Sequence, residues 1–309
     1  MIDVRDVLSS LDWLFFVLIF AAIYSVADRW VGYPFPLHAR ILVPLFGLPS
    51  YFASTREFGV WGERALWTFG ILSGLVGIGI HRAAKEDAQR KRDETSLAVL
   101  KALRSSTPLP VKRFAVYARP FNSTDQLTTQ NMDLAWIPGQ TPTHIDLETK
   151  LTRALQGRLH TVALGRPGEM MGSGRIDVAE SEWQSAFVLL ASNAALVLLL
   201  PSSRAGTHWE TEWLLKNARD RLLLIMPMSP TPSQSYRGEW EKAGVTLSQI
   251  GVELPPYDDR GAIFRINSEG KPIAITRLPR WSSIPALQRT LMAAAPPELK
   301  VAGSSMGGV

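Results

Sequence analysis

Two acids, Glu210 and Glu212, stand just beyond an apolar run that a proline ends. Ala195–Leu200 is continuously apolar, Pro201 stops it, and Ser202–Gly206 makes a loop of mainly small residues. A helix is expected over His208–Arg219, so both carboxylates fall in its opening turns. A carboxylate fixed there can stabilise positive charge that develops on a substrate, and open α/β sheets bind ligands outside the carboxyl ends of their strands. Each acid also has a structural use. Thr207-His208-Trp209-Glu210 fits a capping box with Thr207 as N-cap, and Glu212 with Lys216 fits an i,i+4 ion pair. The helix dipole is expected to hold either carboxyl ionised, which suits a charge stabiliser better than a general acid.

Two further loops should reach the same edge. One comes after the expected strand Phe114–Tyr117 and carries Arg119, Phe121 and Asp125; the other comes after Thr161–Leu164 and reads Gly165-Arg166-Pro167-Gly168-Glu169. With Ser202, Ser203 and Trp209 these supply the candidate ligand-binding set: Arg119, Phe121, Asp125, Arg166, Gly168, Ser202, Ser203 and Trp209. The plainer alternatives are that Arg166 solvates its loop, Asp125 forms a turn, and Trp183, Trp209 and Trp213 pack as core or lid. The chain has no cysteine, which excludes disulfides and thiolate metal sites, and its five histidines lack ligand spacing, so no metal site is expected. No Gly-x-Gly-x-x-Gly or Walker pattern occurs, which argues against ordinary Rossmann hydride transfer and ATP hydrolysis. The net charge of +5, without a basic run interleaved with aromatics, argues against nucleic acid.

The elements that must position these residues divide unevenly along the 309 residues. Residues 1–81 read as a transmembrane region. Spans are expected at about 12–28 and 64–80, with an interfacial or re-entrant piece at 41–54 that holds Pro44 and Pro49; three spans are the alternative. Trp13, Trp30, Trp61 and Trp67 are placed to anchor the interfaces. The cluster Arg82, Lys85, Arg90, Lys91 and Arg92 puts the remainder of the chain in the cytoplasm by the positive-inside rule, although Arg29, Arg40, Arg56 and Arg64 vote the other way. The expected location is the inner or plasma membrane. Residues 82–108 read as a helical stalk closed by Pro108 and Pro110. From 109 to 295 strands and helices alternate: Leu147–Leu155, Glu182–Ala191 and a short Glu239–Ala243 as helices, Ala195–Leu200 and Leu222–Met226 as central strands, Ala262–Ile266 and Ile273–Thr276 as a hairpin, and Ser283–Ala294 as a closing helix. This predicts a mostly parallel sheet with helices on both faces. Residues 296–309 are expected to be a disordered tail.

Three segments carry a resemblance. FAVYARPFNSTD looks like the opening strand and first loop of Toll/interleukin-1 receptor (TIR) domains. GRPGE resembles the end of that family's second loop, and SEWQSAFVLLASNAALVLLLPSSRAGTHWETEW resembles its helix, buried strand and Ser-x-Trp-x-x-x-Glu segment. The stretch covers roughly 114–228. The resemblance implies a flavodoxin-like, TIR-like fold behind a transmembrane helical hairpin, self-association through the domain, and a role as a signalling or defence effector. It also implies NAD as ligand or substrate, cleaved between nicotinamide and ribose with a glutamate stabilising the oxocarbenium-like sugar. Arg119, Arg166 and loop N–H groups would meet the pyrophosphate, and Phe121 or Trp209 would stack on a base. The family's glutamate usually lies four residues after the tryptophan, where this chain has Trp213, so Glu210 and Glu212 are the candidates. Two alternatives stay open: a non-catalytic interaction module at the membrane, and a deoxyribosyltransferase-like enzyme on the same layered sheet.

Overall fold

The computed structural model describes residues 86–119, 128–131, 143–165, 172–229, 236–278 and 284–296, with Ala83 and Leu299. Residues 1–88 and 89–309 form separate compact units, and the elements described belong almost entirely to the second. The expected spans and the 41–54 piece lie outside the described residues. Among the described residues no helix is long and apolar enough to cross a membrane.

A helix over residues 86–105 (α1), which the second unit enters at Gln89, comes first, and strands and helices then alternate. In chain order the elements are β1 (Phe114–Ala118), β2 (Thr128–Asn131), β3 (Thr143–Asp146), α2 (Leu147–Leu155), β4 (His160–Leu164) and β5 (Gly174–Ile176), then α3 (Trp183–Asn193) and β6 (Leu196–Leu199). Next come α4 (Ala205–Asn217), a 3-10 turn at Arg219–Arg221, β7 (Leu222–Met226), α5 (Arg237–Ser248), β8 (Ala262–Ile266), β9 (Pro272–Arg277) and α6 (Ile284–Ala294). Seven strands form one sheet in the order β5-β4-β1-β6-β7-β8-β9, and β2 pairs with β3 separately. The first five are parallel, and β8 and β9 are antiparallel additions. The protein is therefore an α/β protein with a mostly parallel seven-stranded sheet.

Helices cover both faces because the strands leave β1 and β6 in opposite directions. The step from β1 to β4 runs one way and that from β6 to β7 the other, so right-handed crossovers put α2 and α4 on opposite sides. Side chains obey the two-residue period of a strand. Phe114, Val116 and Ala118 of β1, Val197 and Leu199 of β6, and Leu222, Leu224 and Met226 of β7 meet α1, α3, α4 and α5. Their alternates Ala115, Tyr117, Leu196, Leu198, Leu223 and Ile225 meet Leu147, Leu151 and Leu155 of α2 and Leu287 and Leu291 of α6. Every residue of Leu196–Leu200 is fully buried, at roughly 1.5–3 kcal/mol of transfer free energy for each such leucine.

Several boundaries differ from expectation. The stretch read as a stalk packs against the sheet: Ser96 and Val99 are fully buried, and Leu100 and Ala102 nearly so. The β2–β3 pair and β5 are unforeseen, because TTQN, THID and GRI lack the apolar alternation that marks a strand. Helix α5 runs from 237 to 248, well past the expected five residues, with Trp240, Ala243 and Leu247 as its buried stripe. The segment from Pro296, expected as a disordered tail, is packed at its start: Leu299 is buried against the α6 side of the sheet. The edge strand β9 opens on Pro272 and holds Ala274 at φ 52°, so its pairing with β8 slips in register.

Gly174 marks a close approach of helix to strand. A Cβ there would collide with Ser96 Oγ and the Arg92 carbonyl, so α1 lies against β5 with no room for a side chain between them. Gly206, in the first turn of α4, has nothing near where a Cβ would go. Gly174→Ala is expected to lower unfolding stability by about 1–3 kcal/mol through overpacking. Gly206→Ala is expected to be neutral or to raise it by up to about 1 kcal/mol. Chemical denaturation of both variants checks the contrast.

Candidate functional site

The strand order reverses between β1 and β6, and doubly wound sheets place ligands outside the carboxyl ends of the strands that flank such a reversal. Arg119 comes directly after β1 there, and Leu200 to Ser203 come after β6, with the Leu200 N–H donating to the Ala118 carbonyl at 3.0 Å. Of the residues expected to form a site, Phe121, Asp125, Arg166 and Gly168 lie outside the described residues. Arg119, Ser202, Ser203, Trp209, Glu210 and Glu212 can be placed.

Arg119 is buried and already engaged. Its Nε lies 3.3 Å from Glu148 Oε2, and the same oxygen accepts from Arg175 Nη2 at 2.7 Å. Glu148 Oε1 accepts from the Ser173 N–H at 3.3 Å. One carboxylate in the first turn of α2 thus joins the end of β1 to β5. Glu148 and Arg175 are each 1 % exposed, where a charge survives only when paired and hydrogen-bonded. Sequence reasoning missed both; the one available signal was a charged residue inside the short run GRI.

The loop after β6 is equally occupied. Ser203 donates both its N–H (2.8 Å) and its hydroxyl (2.9 Å) to Glu239 Oε1, from the first turn of α5. The Tyr236 hydroxyl donates to the Pro201 carbonyl at 3.1 Å, and burial raises its pKa above the usual tyrosine value. Ser202 Oγ donates to Thr207 Oγ1 at 3.3 Å and accepts the Arg204 N–H at 3.2 Å. Trp209 packs edge-on against Trp183, with centroids 5.1 Å apart, and against Phe187 at 6.0 Å. That is aromatic packing within the α3–α4 seam rather than a bare stacking platform.

The two acids separate sharply. Glu212 lies on the surface of α4 and accepts from Lys216 Nζ at 2.7 Å; that hydrogen bond, then the ammonium charge, lowers its pKa. Glu210 belongs to the stripe Thr207, Glu210, Thr211, Leu214 that α4 buries. It is 5 % exposed, and its Oε2 has no hydrogen-bond partner among the described residues. Burial pushes its pKa up to about 8. Two expectations fail at this residue. The capping box does not form, because α4 begins at Ala205 with Arg204 as an N-cap in extended backbone; Thr207 is then inside the first turn, and its carbonyl accepts from Thr211 Oγ1 at 2.6 Å. Nor does the helix dipole keep Glu210 ionised, because desolvation outweighs it.

An unpaired buried polar atom costs about 1–3 kcal/mol, and perturbed carboxyls of this kind gather at functional sites. As a neutral acid Glu210 can donate a hydrogen bond; beside a bound cation it can ionise and stabilise positive charge. Among the described residues no group of three metal-ligating side chains occurs.

Glu210 also sets a pH dependence. It titrates near 4.5 when unfolded and near 8 when folded, so between these values the native state holds the extra proton. Its contribution to stability is complete below about pH 4.5 and is lost as pH rises to about 8, by at most about 1.4 kcal/mol per pH unit. Glu210→Gln removes this slope, so the variant should gain on the wild type across that window and stop gaining above it. Urea denaturation from pH 5 to 9 measures the difference, and parallel curves would exclude a titrating Glu210.

Comparison with known protein families, with curated proteins and with solved structures finds no match to this chain.

Proposed function

We propose that this chain is a membrane-anchored, TIR-like signalling or defence effector. In this reading the α/β unit lies on the cytoplasmic side of an inner or plasma membrane and recognises an NAD-type nucleotide at Glu210. The observation that carries it is the buried carboxyl of Glu210, with its unpartnered Oε2, on the helix after β6. It stands one to two helical turns beyond the loop that flanks the reversal of strand order. Departure of nicotinamide leaves positive charge on the ribose, and a fixed carboxylate in a dry site stabilises that charge strongly. At rest the acid is mostly neutral near pH 7. The cationic nicotinamide ring would favour its ionised form, so the group becomes a charge stabiliser when substrate arrives. The anchor rests on the apolar runs and basic cluster of the N-terminal third. Self-association and the flavodoxin-like subclass rest on the TIR-like segments within 114–228.

A specific observation favours a second reading, a non-catalytic interaction module. Arg119, Ser202, Ser203 and Trp209 all spend their polar or aromatic surfaces inside the fold. A nucleotide would have to displace some of those contacts.

Nicotinamide release from NAD, measured on the full chain in nanodiscs, separates the two. The enzymatic reading expects Glu210→Ala to lower turnover by about 100-fold or more, and Glu212→Ala to leave it within about twofold, as for an exposed ion pair. Equal turnover in wild type and Glu210→Ala takes the catalytic role away from Glu210, and no release by the wild type at any packing density leaves the interaction module as the function.

A further inference from the structure

The buried face of α1 is polar where it crosses β5 and apolar further on. Gln89, Asp93 and Ser96 are succeeded by Val99, Leu100 and Leu103. Gln89 Nε2 donates to the Ser173 carbonyl at 2.8 Å and to Asp93 Oδ1 at 2.8 Å. Asp93 Oδ1 also accepts the Arg175 N–H at 2.7 Å. The contacts continue without a break: the Ser173 N–H and the Arg175 guanidinium meet Glu148, and Glu148 meets Arg119 at the end of β1. Gly174 lets α1 approach closely enough for these bonds to form. Ser96, on the same face, makes a different contact, to His160 Nε2 of β4 at 2.8 Å.

We propose that α1 is an input element: its seating on β5, through Gln89 and Asp93, sets the position of Arg119 beside the strand-order reversal by way of Glu148. Three physical features support this. The contacts between α1 and β5 are directional hydrogen bonds, which are lost within a fraction of an ångström, whereas apolar contacts tolerate sliding. Glu148 Oε2 is shared between two guanidiniums, so moving Arg175 redistributes what that oxygen gives to Arg119. The cluster is buried at Gln89, Glu148 and Arg175 and half-buried at Asp93, so a lost bond carries a desolvation cost that movement of neighbouring groups relieves. Gln89, Asp93 and Glu148 are thus positioning residues, and the arginine beside the strand-order reversal is what they position. The inference depends on where Arg119 stands and not on the identity of any ligand.

Hydrogen exchange on the full chain tests it without any nucleotide. Gln89→Ala combined with Asp93→Ala removes the α1–β5 bonds. Exchange should then rise about tenfold or more over residues 173–176, 147–150 and 115–119, while 222–226 and 262–266 keep their protection. Ser96→Ala, which cuts the contact to β4 instead, should leave 147–150 unchanged. Faster exchange at 173–176 alone would overturn the proposal and make α1 a passive cover; faster exchange throughout the sheet would overturn it as general destabilisation. Should the double variant fail to fold, Asp93→Asn, which keeps an acceptor for the Arg175 N–H but drops the charge, gives the same pattern at smaller amplitude, and an unchanged 115–119 in that variant is equally fatal.

Discussion

Burial of β1, β6 and β7 on both faces is the constraint that governs the rest of the unit. With helices above and below, the side chains of those strands are aliphatic or aromatic, and none is charged. Polar chemistry is displaced to the strand ends and to the helices that leave them. Arg119 is the first residue after β1, Ser202 and Ser203 close off β6, and Glu210 lies on the next helix. The reversal of strand order is where sheets of this kind take ligands, and burial determines which residues stand beside it.

Two buried carboxylates illustrate opposite solutions to the same dielectric problem. Glu148 meets two guanidiniums and a backbone N–H, and becomes the joint between β1, β5 and α2. Glu210 shares its helix stripe with threonines and a leucine, has an oxygen without a hydrogen-bond partner among the described residues, and retains its proton instead. A fold that needed only stability would favour leucine or methionine at position 210, since an apolar side chain of similar size carries no desolvation cost.

Much of the layered architecture is readable from residue order alone. Strand β7 and helix α2 begin and end where the apolar pattern says, because continuous aliphatic runs and an i, i+4, i+8 stripe admit few alternatives. The terminal hairpin is announced by NSEGKP between two β-branched segments. The polar devices are not legible. That Glu239 would close on Ser203, or that Gln89 would reach Ser173, depends on residues 36 and 84 positions apart, and neither pattern nor propensity encodes such meetings. Glu210 is visible as a residue type in the right place, but its protonation state is not. The start of α4 lies three residues upstream of His208, and that shift turns a cap into a core position.

The last strand of the sheet bears on assembly. A free β edge is a template on which a second polypeptide can grow by backbone pairing. Pro272 withholds one donor from that template, and the left-handed turn of Ala274 throws the next residues out of step. Strand-to-strand joining of copies of this domain is therefore disfavoured at β9, which leaves β5 at the other end of the sheet as the edge without a proline.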